Sequence, residues 1–215
     1  MKRITKLSII LLCMMVVSSL FVVNTYAKWK PEREAAQTVD IPGIGWNPSE
    51  SYIVFAGLNS ANSIVTSSDD FSDIINFAVV GYTGTVAELV IPDEITVTYE
   101  EEEVTGRVLQ ILAGGTEGFY FEDGEEYTGS YEEVDLKNNQ FITYLYVPSS
   151  VSYIGNSVFM GCVNLEELEL EESDIAINMG DYAFSDCISL STVSTNGREI
   201  SGVSEYIFYN TPYLE

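Results

Sequence analysis

Histidine is missing from all 215 residues. Its absence removes the commonest general base, the usual transition-metal ligand, and the Ser–His and Cys–His nucleophile pairs. Basic residues are scarce too: 9 Lys and Arg stand against 33 Asp and Glu, a formal charge of −24. Nucleic acid and anionic membranes are both held through clustered Lys and Arg, so neither fits as a partner. Three cysteines are too few for a small disulfide scaffold. Acidity of this degree can signal disorder, but 46% hydrophobic and 12% aromatic content is enough to bury a core.

What is present begins with "MKR" and Lys6, an apolar run "LSIILLCMMVVSSLFVV", and small residues at Thr25 and Ala27. This is the layout of a secretory signal peptide over residues 1–27, with cleavage after Ala27. A lipid anchor on Cys13 is not expected, because that residue sits mid-run without the small neighbours such processing needs. Cleavage would remove Lys2, Arg3 and Lys6, leaving six basic residues against 33 acidic ones, a charge of −27. No insertion into a membrane is expected thereafter. The remaining length suits one domain with a small N-terminal addition.

A phrase recurs near the C-terminus. "GNSVFMGCVNL" and "GDYAFSDCISL" share G-x-x-x-F-x-x-C-x-x-L, with Cys162 and Cys187, and Leu165 and Leu190, each 25 apart. Phe159, Phe184 and Phe208 step by 25 and 24. Asn139 precedes Ile142, and Thr211 precedes Leu214, as each cysteine precedes its leucine. The ladder Asn139, Cys162, Cys187, Thr211 therefore has steps of 23, 25 and 24. A period in the twenties with an Asn/Cys position is the range of leucine-rich repeats.

The physics of a solenoid accounts for each residue type. Each rung lays its strand beside the next, roughly 4.7–4.9 Å away. Leu168 and Leu170 should point inward and Glu167 and Glu169 outward; Val193 should point inward with Thr192 and Ser194 outward. Strands are expected around Leu89–Ile91, Leu145–Val147 and Leu168–Leu170. Asn, Cys or Thr at the bend can satisfy backbone groups removed from the sheet. Gly155 and Gly180 are expected at a tight or positive-φ position in the returning arm, and the three phenylalanines should stack.

"VPSSVSYIGNSVFMGCVNLEELEL" resembles the BspA-like leucine-rich repeat of bacterial surface and secreted proteins, which typically reads IPSSVTSIGDYAFSGCTSLTSVTI. "GYTGTVAELVIPDEI", Gly81–Ile95, resembles the segment that opens such arrays. The good resemblance covers about 141–214 and a weaker one 77–111. The fold expected is a leucine-rich-repeat solenoid of short parallel strands with irregular or short helical returning arms, plus a small N-terminal cap. Its organisation reads as a linker and cap region over 28–76, then a solenoid over 77–215 with an acidic insertion around 116–140. Within the cap, "YIVFAGL" and "INFAVVGYTG" are strand-like and "SDDFSDIINF" suits a short capped helix. Insertions map to one face of a solenoid, often the binding face.

The acidic run Glu100–Glu103 lacks a calcium-loop pattern and reads as a solvated charge run. With carboxylates this common, no pair marks a glycosidase. No cofactor or metal is expected. Cys162 and Cys187 occupy equivalent positions on adjacent rungs, close enough for a disulfide. Their side chains run parallel, and Asn139 and Thr211 share the column, which favours free thiols. The outward rows of the repeat strands contain Glu88 and Val90, Tyr144 and Tyr146, Glu167 and Glu169, and Thr192 and Ser194. Of these, Tyr144, Tyr146, Glu167, Glu169, Thr192 and Ser194 are the candidate ligand-binding residues; the plain alternative is a solvated strand face.

The resemblance implies a secreted, non-catalytic binding or adhesion module that recognises an extracellular protein or glycan. The alternatives are an accessory repeat domain of a carbohydrate-active enzyme and a surface-layer spacer. "YNTPYLE" stops before the strand its register calls for, so an open C-terminal end is expected, with Phe208, Tyr213 and Leu214 exposed. Such an end would continue into a longer chain or self-associate.

Overall fold

The computed structural model describes residues 52–202, 204 and 206–214. The signal peptide and most of the linker expected before residue 52 lie outside them. The described residues fall in one compact unit, Pro42–Glu215.

Its repeats are built from two parallel ladders. One four-stranded sheet joins β3 (Glu88–Val90), β8 (Tyr144–Val147), β10 (Glu167–Leu170) and β12 (Thr192–Ser194). The register is Leu89, Leu145, Leu168, Val193 across the four strands. Leu89, Leu145, Leu168 and Leu170 are fully buried, because alternation turns one side of each strand inward. The second ladder lies across the core. It runs through the end of β5 (Glu102–Ile111), β9 (Tyr153–Ile154), β11 (Ile177–Met179) and β13 (Ile200–Ser201), all parallel. The strands foreseen around Leu89, Leu145 and Leu168 are present, and the fold is a leucine-rich-repeat solenoid.

Turns at 156–161, 181–186 and 206–210 close the third side of each rung. They stack by backbone hydrogen bonds, among them Phe159 N–H to the Ala183 carbonyl at 2.8 Å and Phe184 N–H to the Ile207 carbonyl at 2.9 Å. Phe159 and Phe184 stack with ring centroids 5.2 Å apart and planes 6° from parallel, and Phe208 continues the column at 5.5 Å. A second column supports the bends. The Cys162 thiol donates to the Leu136 carbonyl at 3.2 Å, and the Cys187 thiol to the Phe159 carbonyl at 3.1 Å. Asn139 accepts from the Phe141 and Ile142 amides, and Thr211 donates to the Phe208 carbonyl. Both thiols are free and buried.

Of the two roles expected for Gly155 and Gly180, a tight position or positive φ, the second is not the one they take. Neither Gly155 nor Gly180 has positive φ. One left-handed column is Asn138, Gly161, Asp186 and Asn210, each one residue before the Asn/Cys/Thr ladder, and Ser157 and Tyr182 share positive φ at another repeat position. Asn and Asp tolerate this conformation because a short polar side chain can bond locally. Gly180 serves close packing instead: a Cβ there would come within 2.6 Å of the Asn156 amide nitrogen and 2.8 Å of the Gly155 carbonyl carbon.

The cap uses more chain than expected. β1 (Ile53–Leu58) and β2 (Asn76–Tyr82) pair antiparallel, and β2 joins the second ladder through β5 in parallel. Between them, Ser68–Asp73 forms a 3-10 turn, with the Ser67 hydroxyl accepting from the Asp69 amide. The acidic stretch 116–140 does not stand off one face. It supplies β6 (Tyr120–Glu122) and β7 (Glu125–Glu126), which extend the cap sheet beyond β1. Phe119 and Phe121 enter the main core, while Tyr120 and Val134 cover the outer side of β1 and β2 with Val54, Ala56 and Val80. β1 is therefore buried on both faces, consistent with its unbroken apolar run. β4 (Glu94–Tyr99) and β5 form a hairpin whose tip, Glu100–Glu101, has both residues at positive φ.

The C-terminal end also differs from expectation. Phe208 is buried rather than exposed, because Tyr213 packs edge-on against it with centroids 5.1 Å apart. Pro212–Leu214 forms a short 3-10 turn, and the Tyr213 amide bonds the Leu190 carbonyl. Tyr213 itself remains exposed.

Candidate binding face

The outward side of β3, β8, β10 and β12 carries two straight rows. Glu88, Tyr144, Glu167 and Thr192 stand in one; Val90, Tyr146, Glu169 and Ser194 stand in the other. Parallel pairing without a register shift makes these rows, so all six candidate residues share one face. Thr192 is exposed, and the tyrosines, Glu167, Glu169 and Ser194 are half-buried.

Side chains along the rows are tied to one another. The Tyr144 hydroxyl donates to a Glu169 carboxylate oxygen at 2.6 Å. The other Glu169 oxygen accepts from the Asn196 amide at 3.3 Å, and that amide also reaches the Leu170 carbonyl at 3.0 Å. Ser194 donates to the Asn196 side-chain oxygen. Glu171 accepts from the Ser149 amide at 2.7 Å. Burial, the Glu169 hydrogen bond and the charges of Glu169 and Glu167 all push the Tyr144 hydroxyl well above its ordinary pKa. Tyr146 is raised by burial and by the carboxylates of Glu171 and Glu169. Both tyrosines are therefore neutral rings beside anionic groups.

Behind this face lies a residue that the sequence reading passed over. Arg198 is almost fully buried between β12 and β13. Its Nε donates to the Ile175 carbonyl at 3.0 Å and its Nη1 to the Pro148 carbonyl at 3.1 Å, while Nη2 reaches the Ser149 and Val151 carbonyls. One guanidinium thus ties the corners of three successive rungs. Burial lowers its pKa, and the nearby Glu171 charge works against that shift. A lone Arg in "TNGREI", in a chain so poor in bases, was the available signal. A stack of Tyr182 on Tyr206, with centroids 5.2 Å apart, was likewise missed although both occupy one repeat position.

Among the described residues, no group of three His, Cys, Asp or Glu is placed to hold a metal ion. No helix there is long and apolar enough to cross a membrane.

Residues 135–215 match the family described as BspA type Leucine rich repeat region (6 copies). No curated protein matches the chain. Similar solved structures include a leucine rich cell surface protein from Faecalibacterium prausnitzii A2-165, 18% identical with a TM-score of 0.36 over 60% of this chain and 30% of that one. Another is the pneumococcal vaccine antigen PcpA, 17% identical with a TM-score of 0.27 over 62% of this chain and 40% of that one. This chain spans less than half the length of either. The family match coincides with the stacked Phe and Asn/Cys/Thr columns, and residues 135–215 form a BspA-type leucine-rich repeat region.

Proposed function

We propose that this protein is a secreted or surface-located binding module, without catalysis of its own, which engages an extracellular partner through the outward rows of its first sheet. The observation that carries the reading is the arrangement of Tyr144 and Tyr146 beside Glu167 and Glu169 on one pre-ordered face, with Tyr144 held by Glu169 at 2.6 Å. Rings already fixed in the free protein lose little conformational entropy when a partner covers them. The cell-surface description of one similar structure is in keeping with this location. Repeat proteins commonly use the continuous surface that stacking generates.

The test is a panel of face variants scored on extracellular-matrix proteins and a glycan array. Tyr144→Ala with Tyr146→Ala, and separately Glu167→Lys with Glu169→Lys, should abolish capture while leaving the thermal unfolding transition cooperative. Full capture by both pairs would move the site off this sheet.

A further inference from the structure

The hydrogen-bond inventory of the face narrows the chemistry of its partner; this step rests on the strand-face reading above. Apart from the Thr192 hydroxyl, donors on the rows are already spent, the Tyr146 hydroxyl on Glu171. Tyr144 gives its proton to Glu169, Ser194 gives its own to Asn196, and the Asn196 amide is divided between Glu169 and the Leu170 carbonyl. Acceptors are not spent. Glu88 and Glu167 stand on either side of Tyr144 in one row, and neither carboxylate has a hydrogen-bond or ion-pair partner among the described residues. Neighbouring strands are about 4.8 Å apart, which sets the Glu88 and Glu167 backbones roughly 10 Å from each other with Tyr144 on the strand between.

Among the described residues, no cation neutralises this row. Residues 52–214 contain Arg107, Lys137 and Arg198 as their basic residues. Arg107 pairs with Asp93 at 3.2 Å, Arg198 is buried against backbone carbonyls, and Lys137 lies outside the four strands.

We infer that the face takes a Lys- and Arg-bearing segment of a partner protein, lying across β3, β8 and β10 with a cationic group between Glu88 and Glu167 against the Tyr144 ring. Ammonium and guanidinium groups carry donors and no acceptor, which complements the free carboxylates of Glu88 and Glu167. Their alkyl stems cover apolar surface while the charge stays wet, as half-buried rings require. A cation near a tyrosine ring gains a further attraction. A sugar hydroxyl both gives and takes hydrogen bonds, and apart from Thr192 it would find few free donors here.

The probe is a short peptide alternating Lys and Gly, titrated calorimetrically into the purified chain, with a Glu–Gly peptide as its counterpart. Because the whole chain is acidic, the comparison is internal. Glu88→Gln with Glu167→Gln removes two charges from the face; Glu100→Gln with Glu101→Gln removes two from the β4–β5 tip. The face pair should weaken binding about tenfold and the tip pair less than about twofold. Equal losses, or no binding of the Lys peptide, would overturn the inference. A glycan retained by the parent chain and lost in Tyr144→Ala with Tyr146→Ala would also overturn it, while leaving the strand-face reading intact. Ligand capture unchanged in every face variant would remove both.

Discussion

Tyr144 on β8 donates its hydroxyl to Glu169 on β10 at 2.6 Å, so an ionisable ring is locked to a carboxylate on the neighbouring rung. Tyr144 and Tyr146 both have raised pKa values, from burial first and adjacent carboxylates second. Their folded-state values exceed the unfolded ones, so the unfolded chain releases these protons first. Stability should hold below about pH 10 and fall above it, by up to about 1.4 kcal/mol per pH unit for each such tyrosine. Urea midpoints measured across the alkaline range check this, and Tyr144→Phe should flatten the fall. An unchanged slope in that variant would detach Tyr144 from the effect.

The aromatic column should dominate stability. Phe159→Ala and Phe184→Ala remove fully buried rings from a stack and should each cost about 3–5 kcal/mol. Exposed Glu172→Ala is the control. Thermal shifts no larger than the control's would show that the stack contributes little.

Arg198 should matter more than any surface charge. Its removal leaves buried carbonyls of the two preceding rungs without a donor, each such loss costing about 1–3 kcal/mol. Arg198→Met is expected to lower the denaturation midpoint severely. Arg198→Lys should recover only part, since one ammonium cannot reproduce the spread of a guanidinium fork. Full recovery by lysine would mean that charge, rather than geometry, is what the corner needs.

Two glycines at equivalent positions should respond differently to the same change. Gly180→Ala drives a methyl into the backbone of the preceding rung and should cost about 1–3 kcal/mol as overpacking does. At Gly155 the nearest atom to an added Cβ is a Val158 methyl at 3.3 Å, so the alanine variant should be milder. A reversed order in calorimetric melting would contradict the rung spacing.

The thiols should be silent until the fold opens. The Cys162 thiol alongside, and then burial, push the Cys187 thiol well above its ordinary value. Reaction with a disulfide reagent needs the thiolate and access; burial denies access to both thiols, and Cys187 is also held protonated. Labelling should proceed only at the rate of unfolding, with both cysteines titrating in denaturant. Fast labelling of the native chain would contradict the buried, donated thiols seen here.

Much of the repeat was legible because its causes are local. The inward Leu168 and outward Glu167 follow from alternation along one short strand, and the Phe and Asn/Cys/Thr columns follow from counting residues between like bends. The six candidate residues came out on one face for the same reason. Gly155 and Gly180 read as suited to a tight or a positive-φ position, and the positive φ falls instead to residues such as Asn138, Asp186 and Asn210, which meet the same backbone demand.

By itself, then, the sequence determined the period, the inside and outside of each rung, and the classes of chemistry that a chain without histidine and poor in bases cannot perform. Tertiary structure alone decided three further matters. Residues 116–140 could form a loop on a face or a seal on the cap. Phe119, Phe121 and Tyr120 chose the cap because the open end of β1 and β2 offered apolar surface and an unpaired edge. Phe208 was closed over by Tyr213, a packing of neighbours that the repeat register does not describe. Arg198 found its carbonyls up to 50 residues away. Such contacts join segments whose proximity no local pattern encodes; they exist because buried polar groups and exposed apolar ends must be satisfied by whatever the folded chain brings within reach.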